Sequence, residues 1–351
     1  MASGLSRRTF LGTSAAIAST MTFGGLSSAR AEEKFTMSSA GGTWGEFLRK
    51  AFVEGSEFAK MDMAYEEGGD SVRLSKLIAA RSNPAVSVVN FLTPEQVLAA
   101  EADCIQPYDT DIVTNLSSIF PAAIAAPIGS LKNWSAPFSI AMTGLVYNTK
   151  EVEKPTSWKD LWNTKYKGRI GIPDYGWIGI SWLHALNRDL GGTEDNIDPA
   201  IAALIDLRKK NDAIVVGSTD QASKLLASGE IVMLPWFNGR AFELQEKKHP
   251  IDIAYVKNSV LQNNAFLIPK GVRLKDEANR FIQRSLSAEC QLTLATLTRY
   301  APANKDVKMP AEYERYALPP AAVEAAAPID WVKLNKFRAA YLKRWTEEVL
   351  G

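Results

Sequence analysis

A strand-to-helix junction stands out in the sequence Leu234-Pro235-Trp236-Phe237-Asn238-Gly239-Arg240-Ala241-Phe242. It follows a polar segment that we expect to be a helix ending at Gly229, and then the short apolar run 231–234, which is typical of a buried parallel strand. We expect Pro235 to end that strand and Asn238-Gly239 to form a turn before a helix over 240–247. In an open α/β sheet, such a junction lies at the carboxyl edge of the strands, where ligands bind.

The side chains of this junction indicate what kind of ligand it would hold. Trp236 and Phe237 would supply apolar walls, and the planar guanidinium of Arg240 would supply a bidentate fork for a carboxylate or phosphate. The alternative is that both aromatic residues pack in the core and that Arg240 is an ordinary surface charge. The junction by itself does not separate these two interpretations.

The first 31 residues have the pattern of an export signal. They contain no Asp, Glu or Lys, and Ser6-Arg7-Arg8-Thr9-Phe10-Leu11 precedes a weakly apolar run that ends at Ala29-Arg30-Ala31. This pattern predicts a twin-arginine signal peptide, residues 1–31, with an A-x-A cleavage site. No Cys follows the small residues, so we expect the product to be free in the periplasm.

Composition excludes several classes of function. Without the three arginines of the signal, 37 Lys plus Arg face 39 Asp plus Glu, a net charge near −2 that argues against nucleic acid as a partner. Cys104 and Cys290 are too far apart for spacing to establish a disulfide, and we expect both thiols in the core. Because the chain has only two histidines, we expect no metal site and no cofactor.

Strands alternate with helices along most of the mature chain. The predicted strands are 35–39, 86–92, 144–148, 168–173, 213–216 and 231–234. Thr93-Pro94-Glu95-Gln96 has the pattern of a capping box, which predicts a helix directly after the second strand. A helix from Asp330 carries one apolar face, which we expect to pack against the body of the protein. The alternation is typical of parallel α/β sheets.

An ordered set of motifs resembles one family. These are Gly41-Gly42-Thr43-Trp44, Val88-Val89-Asn90, Gly144-Leu145-Val146-Tyr147-Asn148-Thr149, Pro155-Thr156-Ser157-Trp158-Lys159-Asp160-Leu161, Trp236-Phe237-Asn238-Gly239-Arg240-Ala241, Ile268-Pro269-Lys270, Ala278-Asn279-Arg280-Phe281-Ile282 and Tyr300-Ala301-Pro302-Ala303-Asn304. Their order is similar to that in periplasmic solute-binding proteins of polyamine-type ABC importers.

This resemblance implies a two-lobed periplasmic-binding-protein fold of type II, an α/β fold with two crossover hinge strands. Lobe 1 would comprise residues 32–145 and 268–310, and lobe 2 residues 146–267 and 311–351. The lobes would close on a small-molecule solute and deliver it to the transmembrane subunits of an ABC permease. A monomer without enzymatic activity is expected.

The sequence departs from the resembled family where polyamine binders hold their ligand. Counting back from the Ile268 motif, Lys257, Gln262 and Asn264 stand where the resemblance implies a Glu, a Trp and an Asp. Asp174 aligns with an amine-binding position, but Trp177 replaces the next expected acid. Because an acid is lost and Arg240 is gained, the site changes sign, and we expect a small carboxylate-bearing or zwitterionic solute.

In this hypothesis Arg240 binds the carboxylate and Asp174 receives an ammonium group. The candidate substrate-binding residues are Arg240, Trp236, Phe237, Thr43, Trp44, Asn90, Phe91, Ser139, Asp174, Trp177, Asn263 and Asn264. Whether Asn263 or Asn264 faces the cleft depends on a strand register in which a slip of one residue reverses the face.

Other functions fit the sequence less well. The same fold could bind a polyamine, with Asp174 and either Asp220 or Glu66 as acids. A ferric-iron binder would need a cluster of phenolates or carboxylates, and no adjacent tyrosine pair is present. A hydrolase is disfavoured because Gly-x-Ser-x-Gly and His-Glu-x-x-His are both missing. A purely structural or docking protein is disfavoured by the aromatic and polar residues at strand ends.

Overall fold

The computed structural model describes residues 33–81 and 83–351. Within it, Lys34–Gly351 forms one compact unit. The predicted signal peptide, residues 1–31, lies outside the described residues. No helix in the described part of the chain is long and apolar enough to cross a membrane.

Eleven β-strands are described. They are β1 (Phe35–Ser39), β2 (Met63–Glu67), β3 (Val88–Leu92), β4 (Ile105–Gln106), β5 (Ala136–Asn148), β6 (Gly171–Pro173), β7 (Ile214–Val216), β8 (Met233–Phe237), β9 (Ile251–Ala254), β10 (Val260–Pro269) and β11 (Ala301–Pro302). Nine of them form one sheet with the main order β11-β5-β10-β3-β1-β2, in which β4 also pairs with β10, and β8 and β9 also pair with β5. Strands β6 and β7 form a separate two-stranded sheet.

The helices of the described chain lie between these strands. They are α1 (Thr43–Leu48), α2 (Asp70–Ala80), α3 (Thr93–Glu101), α4 (Ile180–Asp189), α5 (Asp198–Asn211), α6 (Thr219–Ser228), α7 (Asn238–Glu246), α8 (Lys275–Ser285), α9 (Ala288–Thr298), α10 (Pro320–Glu324) and α11 (Trp331–Arg344). Segments of π-helix, Arg49–Val53, Tyr175–Gly179 and Trp345–Leu350, adjoin α1, α4 and α11. Helix α6 ends, as predicted, at Gly229 in the left-handed conformation.

The sheet is mixed rather than parallel. Only β1–β2, β1–β3 and β6–β7 pair in parallel, and every pair made by β5 or β10 is antiparallel. The predicted parallel pairing holds for these three pairs, whereas the antiparallel part of the sheet was not predicted. The alternation of strands and helices could not reveal it, because the antiparallel pairs join strands that are far apart in sequence.

Strand β5 connects the two halves of this sheet. Its first residues pair with β10 and β11, and its last residues pair with β8 and β9. The predicted strand at 144–148 is thus only the end of a 13-residue strand that begins at Ala136. The residues from Ala136 to Thr143 belong to the same strand, and all 13 residues of β5 are buried.

The junction at 234–242 differs from the prediction in two ways. Pro235 does not end the strand but lies inside β8, opposite Leu145 of β5. On its other side β8 forms an isolated bridge from Met233 to Ile170 and no ladder among the described residues. Pro235, which lacks an N–H, therefore interrupts no row of backbone hydrogen bonds on that side. Asn238-Gly239 does not form a turn, because α7 begins at Asn238 itself.

Helix α3 begins where predicted, but without the capping box. The structure places the N-cap at Leu92, with no capping side chain, and Pro94 lies in the first turn. The Thr93 hydroxyl instead accepts a hydrogen bond from the backbone N–H of Asn263 at 2.9 Å. The side chain that would have capped the helix therefore ties it to β10.

Large apolar clusters hold these elements together. One joins β1, β3, β10, α8 and α9 through a group of phenylalanines in edge-to-face contact, among them Phe52, Phe138, Phe266 and Phe281. A second includes the apolar face of the C-terminal helix, where Leu334, Tyr341, Trp345 and Val349 are buried. The predicted packing of that face is confirmed, and Cys104 and Cys290 are buried free thiols, as expected for the core.

Candidate functional site

A cleft lies where the strand ends of both halves of the sheet approach one another. Its cavity has a volume of about 200 Å³ and is lined by Ala40, Trp44, Asp70, Asn90, Leu92, Ala141, Phe237, Arg240, Asn264 and Tyr300. The end of β3, the starts of α1, α2 and α7, and the crossing strands β5 and β10 all contribute to this lining. The cleft is thus built from segments that are up to 260 residues apart in the chain.

Arg240 provides the positive charge of the cleft. Its Nη1 donates to Oε2 of Glu243 at 2.9 Å, a pair one helical turn apart, and its side chain stays 38% exposed. The phenol oxygen of Tyr300 beside it raises the pKa of the Arg240 guanidinium, and Glu243 adds to this effect against the opposing effect of burial. Arg240 therefore stays cationic, oriented by two neighbours and still accessible from the cavity.

Tyr300 lies next to the guanidinium of Arg240 and packs against two aromatic rings of the cavity lining. Its ring meets Phe237 and Trp44 edge-on, with centroids 6.4 and 6.1 Å away. Burial raises the pKa of the Tyr300 phenol, which keeps the hydroxyl protonated, while Arg240 acts in the opposite direction. The close approach is possible because Gly239 has no side chain, since a Cβ there would lie 2.8 Å from the Tyr300 ring.

A chain of hydrogen bonds holds Trp44 and Asn90, two further residues of the cavity lining, in place. Nε1 of Trp44 donates to Oδ1 of Asn90 at 3.2 Å, and Nη1 of Arg73 donates to the Asn90 carbonyl at 2.7 Å. The guanidinium of Arg73 is fully buried over the ring of Phe91, 4.7 Å from its centroid. Asn90 thus faces the cavity, whereas Phe91 points away from it and forms a platform for Arg73.

The two neighbouring asparagines of β10 have different surroundings. Asn264 lines the cavity, and its Nδ2 donates to Oγ of Ser139 at 3.2 Å. Asn263 is buried on the other face, where its Nδ2 donates to the Ala123 carbonyl and its Oδ1 accepts from Gln96. This placement follows from the alternation of side chains along a strand.

Five other residues singled out in the sequence do not line the cavity, and one of them, Ser139, only accepts the hydrogen bond from Asn264. Asp174 caps the segment after β6, accepting from the N–H of Gly176 at 2.8 Å. Trp236 is fully buried, with the ring of Trp177 6.5 Å away, and both pack in one apolar cluster. Thr43 is exposed at the start of α1.

Two polar lining residues were missed from the sequence, Asp70 and Tyr300, as were the apolar Ala40, Leu92 and Ala141. Asp70 follows the glycine pair Gly68-Gly69 at the end of β2, just as Trp44 follows a glycine pair near the end of β1. That repeated pattern was an available signal for Asp70. Tyr300 was noted only as part of a motif, because its position in the cleft depends on the pairing of β11 with β5.

The fold and the cleft together define a class of protein. A mixed α/β fold with long crossing strands and a ligand-sized cleft at its strand edges is that of a two-lobed solute-binding protein. The fold matches that of an ABC transporter protein from Clostridium perfringens, with a TM-score of 0.77 and 21% identity over 90% of this chain and 99% of the other. It also matches a structure described as a GABA receptor, with a TM-score of 0.74 and 22% identity over 89% and 96% of the two chains.

The sequence comparison identifies the family. Residues 60–321 match the model for bacterial extracellular solute-binding proteins, and the chain belongs to that family. The spermidine/putrescine-binding periplasmic protein of Escherichia coli K12 is 25% identical over 205 residues, which are 57% of this chain and 58% of that protein. The match therefore spans less than two thirds of that relative.

Proposed function

We propose that this chain is the substrate-binding component of an ABC transporter, which captures a small carboxylate-bearing or zwitterionic solute in the cleft and delivers it to a membrane permease. The observation that carries this proposal is the position of Arg240. It is the one basic residue among the ten that line the cavity in the described part of the chain.

The contacts of Arg240 support the carboxylate. Glu243 accepts from Nη1 and Tyr300 also hydrogen-bonds the guanidinium, so the rest of its five N–H groups remain for a ligand. Glu243 also pairs with Lys247 at 2.8 Å, so one carboxylate is shared by two cations. An anionic ligand group would balance the remaining positive charge on this side of the cleft.

The volume of the cavity supports a small solute. Its volume of about 200 Å³ lies below the roughly 300–1,000 Å³ that is typical of small-molecule sites. Trp44 and Phe237 would cover the apolar part of the ligand, and Asn90 and Asn264 would offer hydrogen bonds.

The remaining parts of the proposal come from the sequence. Residues 1–31 would direct twin-arginine export to the periplasm, where the mature chain would act as a monomer without enzymatic activity. Lobe 1 would comprise residues 32–145 and 268–310, and lobe 2 residues 146–267 and 311–351. The lobes would close over the solute, with β5 and β10 as the crossover strands.

Polyamine binding is the second candidate, because several relatives are named as spermidine/putrescine-binding proteins. A polyamine would need carboxylates, and Asp70 is the one acid that lines the cavity among the described residues. Arg240 at the same cavity argues against a ligand whose charges are all positive.

A thermal-shift screen of the mature protein against carboxylates, amino acids and polyamines tests the proposal. A ligand at one hundred times its dissociation constant stabilises by about 2.7 kcal/mol, which moves the melting temperature by several degrees. We expect shifts with carboxylate-bearing ligands that disappear in Arg240→Ala. Arg280→Ala is the matched control, since Arg280 also pairs with a glutamate one turn away and is 43% exposed. Shifts with polyamines alone, retained in Arg240→Ala, would overturn the proposal.

A further inference from the structure

We propose that Asp70 is the ammonium acceptor of the cleft, and that the solute is a zwitterion whose ammonium and carboxylate groups are at separate ends, the first at Asp70 and the second at Arg240. This inference rests on the proposed function, and it assigns the amine contact to a residue other than Asp174.

The geometry of Asp70 suits this role. It is the first residue of α2, it lines the cavity, and its side chain is 26% exposed. Its Oδ1 accepts from Nη2 of Arg73 at 2.5 Å, whereas no group in the described chain donates to its Oδ2. One carboxylate oxygen is thus held in place by a buried arginine, and the other remains for a ligand.

A second acceptor lies in the same cavity. The amide of Asn264 donates through Nδ2 to Ser139, which leaves its Oδ1 as an acceptor. An ammonium group has three donors, and Asp70 and Asn264 each present an acceptor oxygen at this cavity. The rings of Trp44 and Phe237 line the same cavity and add favourable surfaces for a cation.

The two charges of the cleft come from different halves of the sheet. Asp70 follows β2, at one end of the sheet order, and Arg240 follows β8, which pairs with the last residues of β5. In the described chain Asp70 pairs with Arg73 and Arg240 with Glu243, and no ion pair within 4.0 Å joins Asp70 to Arg240, so a ligand with its charges at separate ends can meet both.

The alternative is that Asp70 serves only as the counter-ion of Arg73. Calorimetry on matched ligand pairs separates the two roles, using linear ω-amino carboxylates of three to six carbons and the alkyl carboxylates of equal length. We expect the wild-type protein to bind the best amino member at least about tenfold more tightly than its partner, as expected for a charge-assisted hydrogen bond. Asp70→Asn keeps an oxygen for Arg73, and it should bring that ratio close to one.

Asp198→Asn is the matched control, because Asp198 is also the first residue of a helix and pairs with an arginine, Arg344, at 2.6 Å. It should leave the ratio unchanged. A second variant, Asp70→Glu, keeps the charge on a longer side chain and should move the preferred ligand to one fewer carbon.

Each outcome has a defined meaning. An unchanged ratio in Asp70→Asn, or no binding of any amino member by the wild-type protein, would overturn the role of Asp70. If the ratio falls in Asp70→Asn while Asp70→Glu restores it, the role is supported. Unchanged affinity of Arg240→Ala for both members of a pair would instead reject the carboxylate contact of the proposed function.

Discussion

Trp44 and Asn90 are joined across the cleft wall by a hydrogen bond of 3.2 Å from the indole N–H to the amide oxygen. This bond connects α1 with the end of β3. It also fixes the orientation of the Asn90 amide, whose Nδ2 then points to the Ala265 carbonyl at 3.4 Å. The lining of the cavity is therefore held in shape before a ligand enters.

Trp44→Phe would remove this bond while keeping an aromatic ring near Phe138 and Tyr300. Because Asn90 is 2% exposed, its oxygen would lose a partner in a largely buried position. We expect a loss of about 1 kcal/mol in the free energy of unfolding, measured by urea denaturation. An unchanged midpoint and slope would mean that water replaces the indole at no cost.

Arg73 is expected to matter more for stability than any other charged residue near the cleft. It is buried and donates to the carbonyl oxygens of Gly68 and Asn90 as well as to Asp70. Burial lowers the pKa of Arg73, and the carboxylate of Asp70 opposes that change.

Arg73→Met should therefore destabilise the protein by about 3 kcal/mol or more, because it leaves two carbonyls and a carboxylate without their donor. Arg49→Met is the control, since Arg49 forms a similar pair with Glu67 at 3.0 Å but is partly exposed. Differential scanning calorimetry on both variants measures the effect. Equal shifts in the two would show that burial of Arg73 contributes nothing extra.

The sequence predicted those parts of the fold that depend on local pattern. Strand β1 and the helices after β3 and β8 lie close to their predicted positions, because periodicity and glycine or proline signals determine them. We predicted that Pro235 would end its strand, but it lies inside β8. A proline is accepted there because β8 pairs with few residues on the side away from β5, which the local sequence does not show. The antiparallel pairing of β5 with β10 likewise joins residues more than one hundred positions apart.

The site shows the same limit. Trp44, Asn90, Phe237, Arg240 and Asn264 line the cavity, and they lie in strands or in the helices that directly follow strands. Which side chain at a strand end faces the cleft is decided by packing, as the burial of Trp236 beside the cavity-lining Phe237 illustrates. Tyr300 enters the cleft only through tertiary pairing, which no local pattern encodes.

The C-terminal helix should contribute strongly to stability through a few residues. Trp345 is fully buried with its ring 6.3 Å from that of Tyr175, whereas Leu342 on the same helix is 46% exposed. We expect Trp345→Ala to cost about 3–5 kcal/mol in the free energy of unfolding and Leu342→Ala less than about 0.5 kcal/mol. Urea denaturation of both variants measures this, and a small effect of Trp345→Ala would mean that the helix docks only loosely.

His184 should make the stability of the protein depend on pH. The imidazole is 4% exposed in α4, and its Nε2 has no hydrogen-bond partner among the described residues. Burial lowers the pKa of His184 from 6.5 to about 4, Arg188 acts in the same direction, and Glu194 opposes it.

Between these two pKa values the unfolded chain binds the proton and the folded chain does not. The contribution of His184 is therefore fully present above pH 6.5 and is lost as the pH falls toward 4, amounting to about 2 kcal/mol between pH 8 and pH 5. His184→Phe keeps a ring next to Tyr341, whose centroid is 5.6 Å away, and should remove this part of the pH dependence. Denaturant unfolding at both pH values gives the difference, with Leu342→Ala as a control that keeps the wild-type drop. Equal drops in His184→Phe and the wild type would mean that the folded protein accepts a proton on His184 as readily as the unfolded chain.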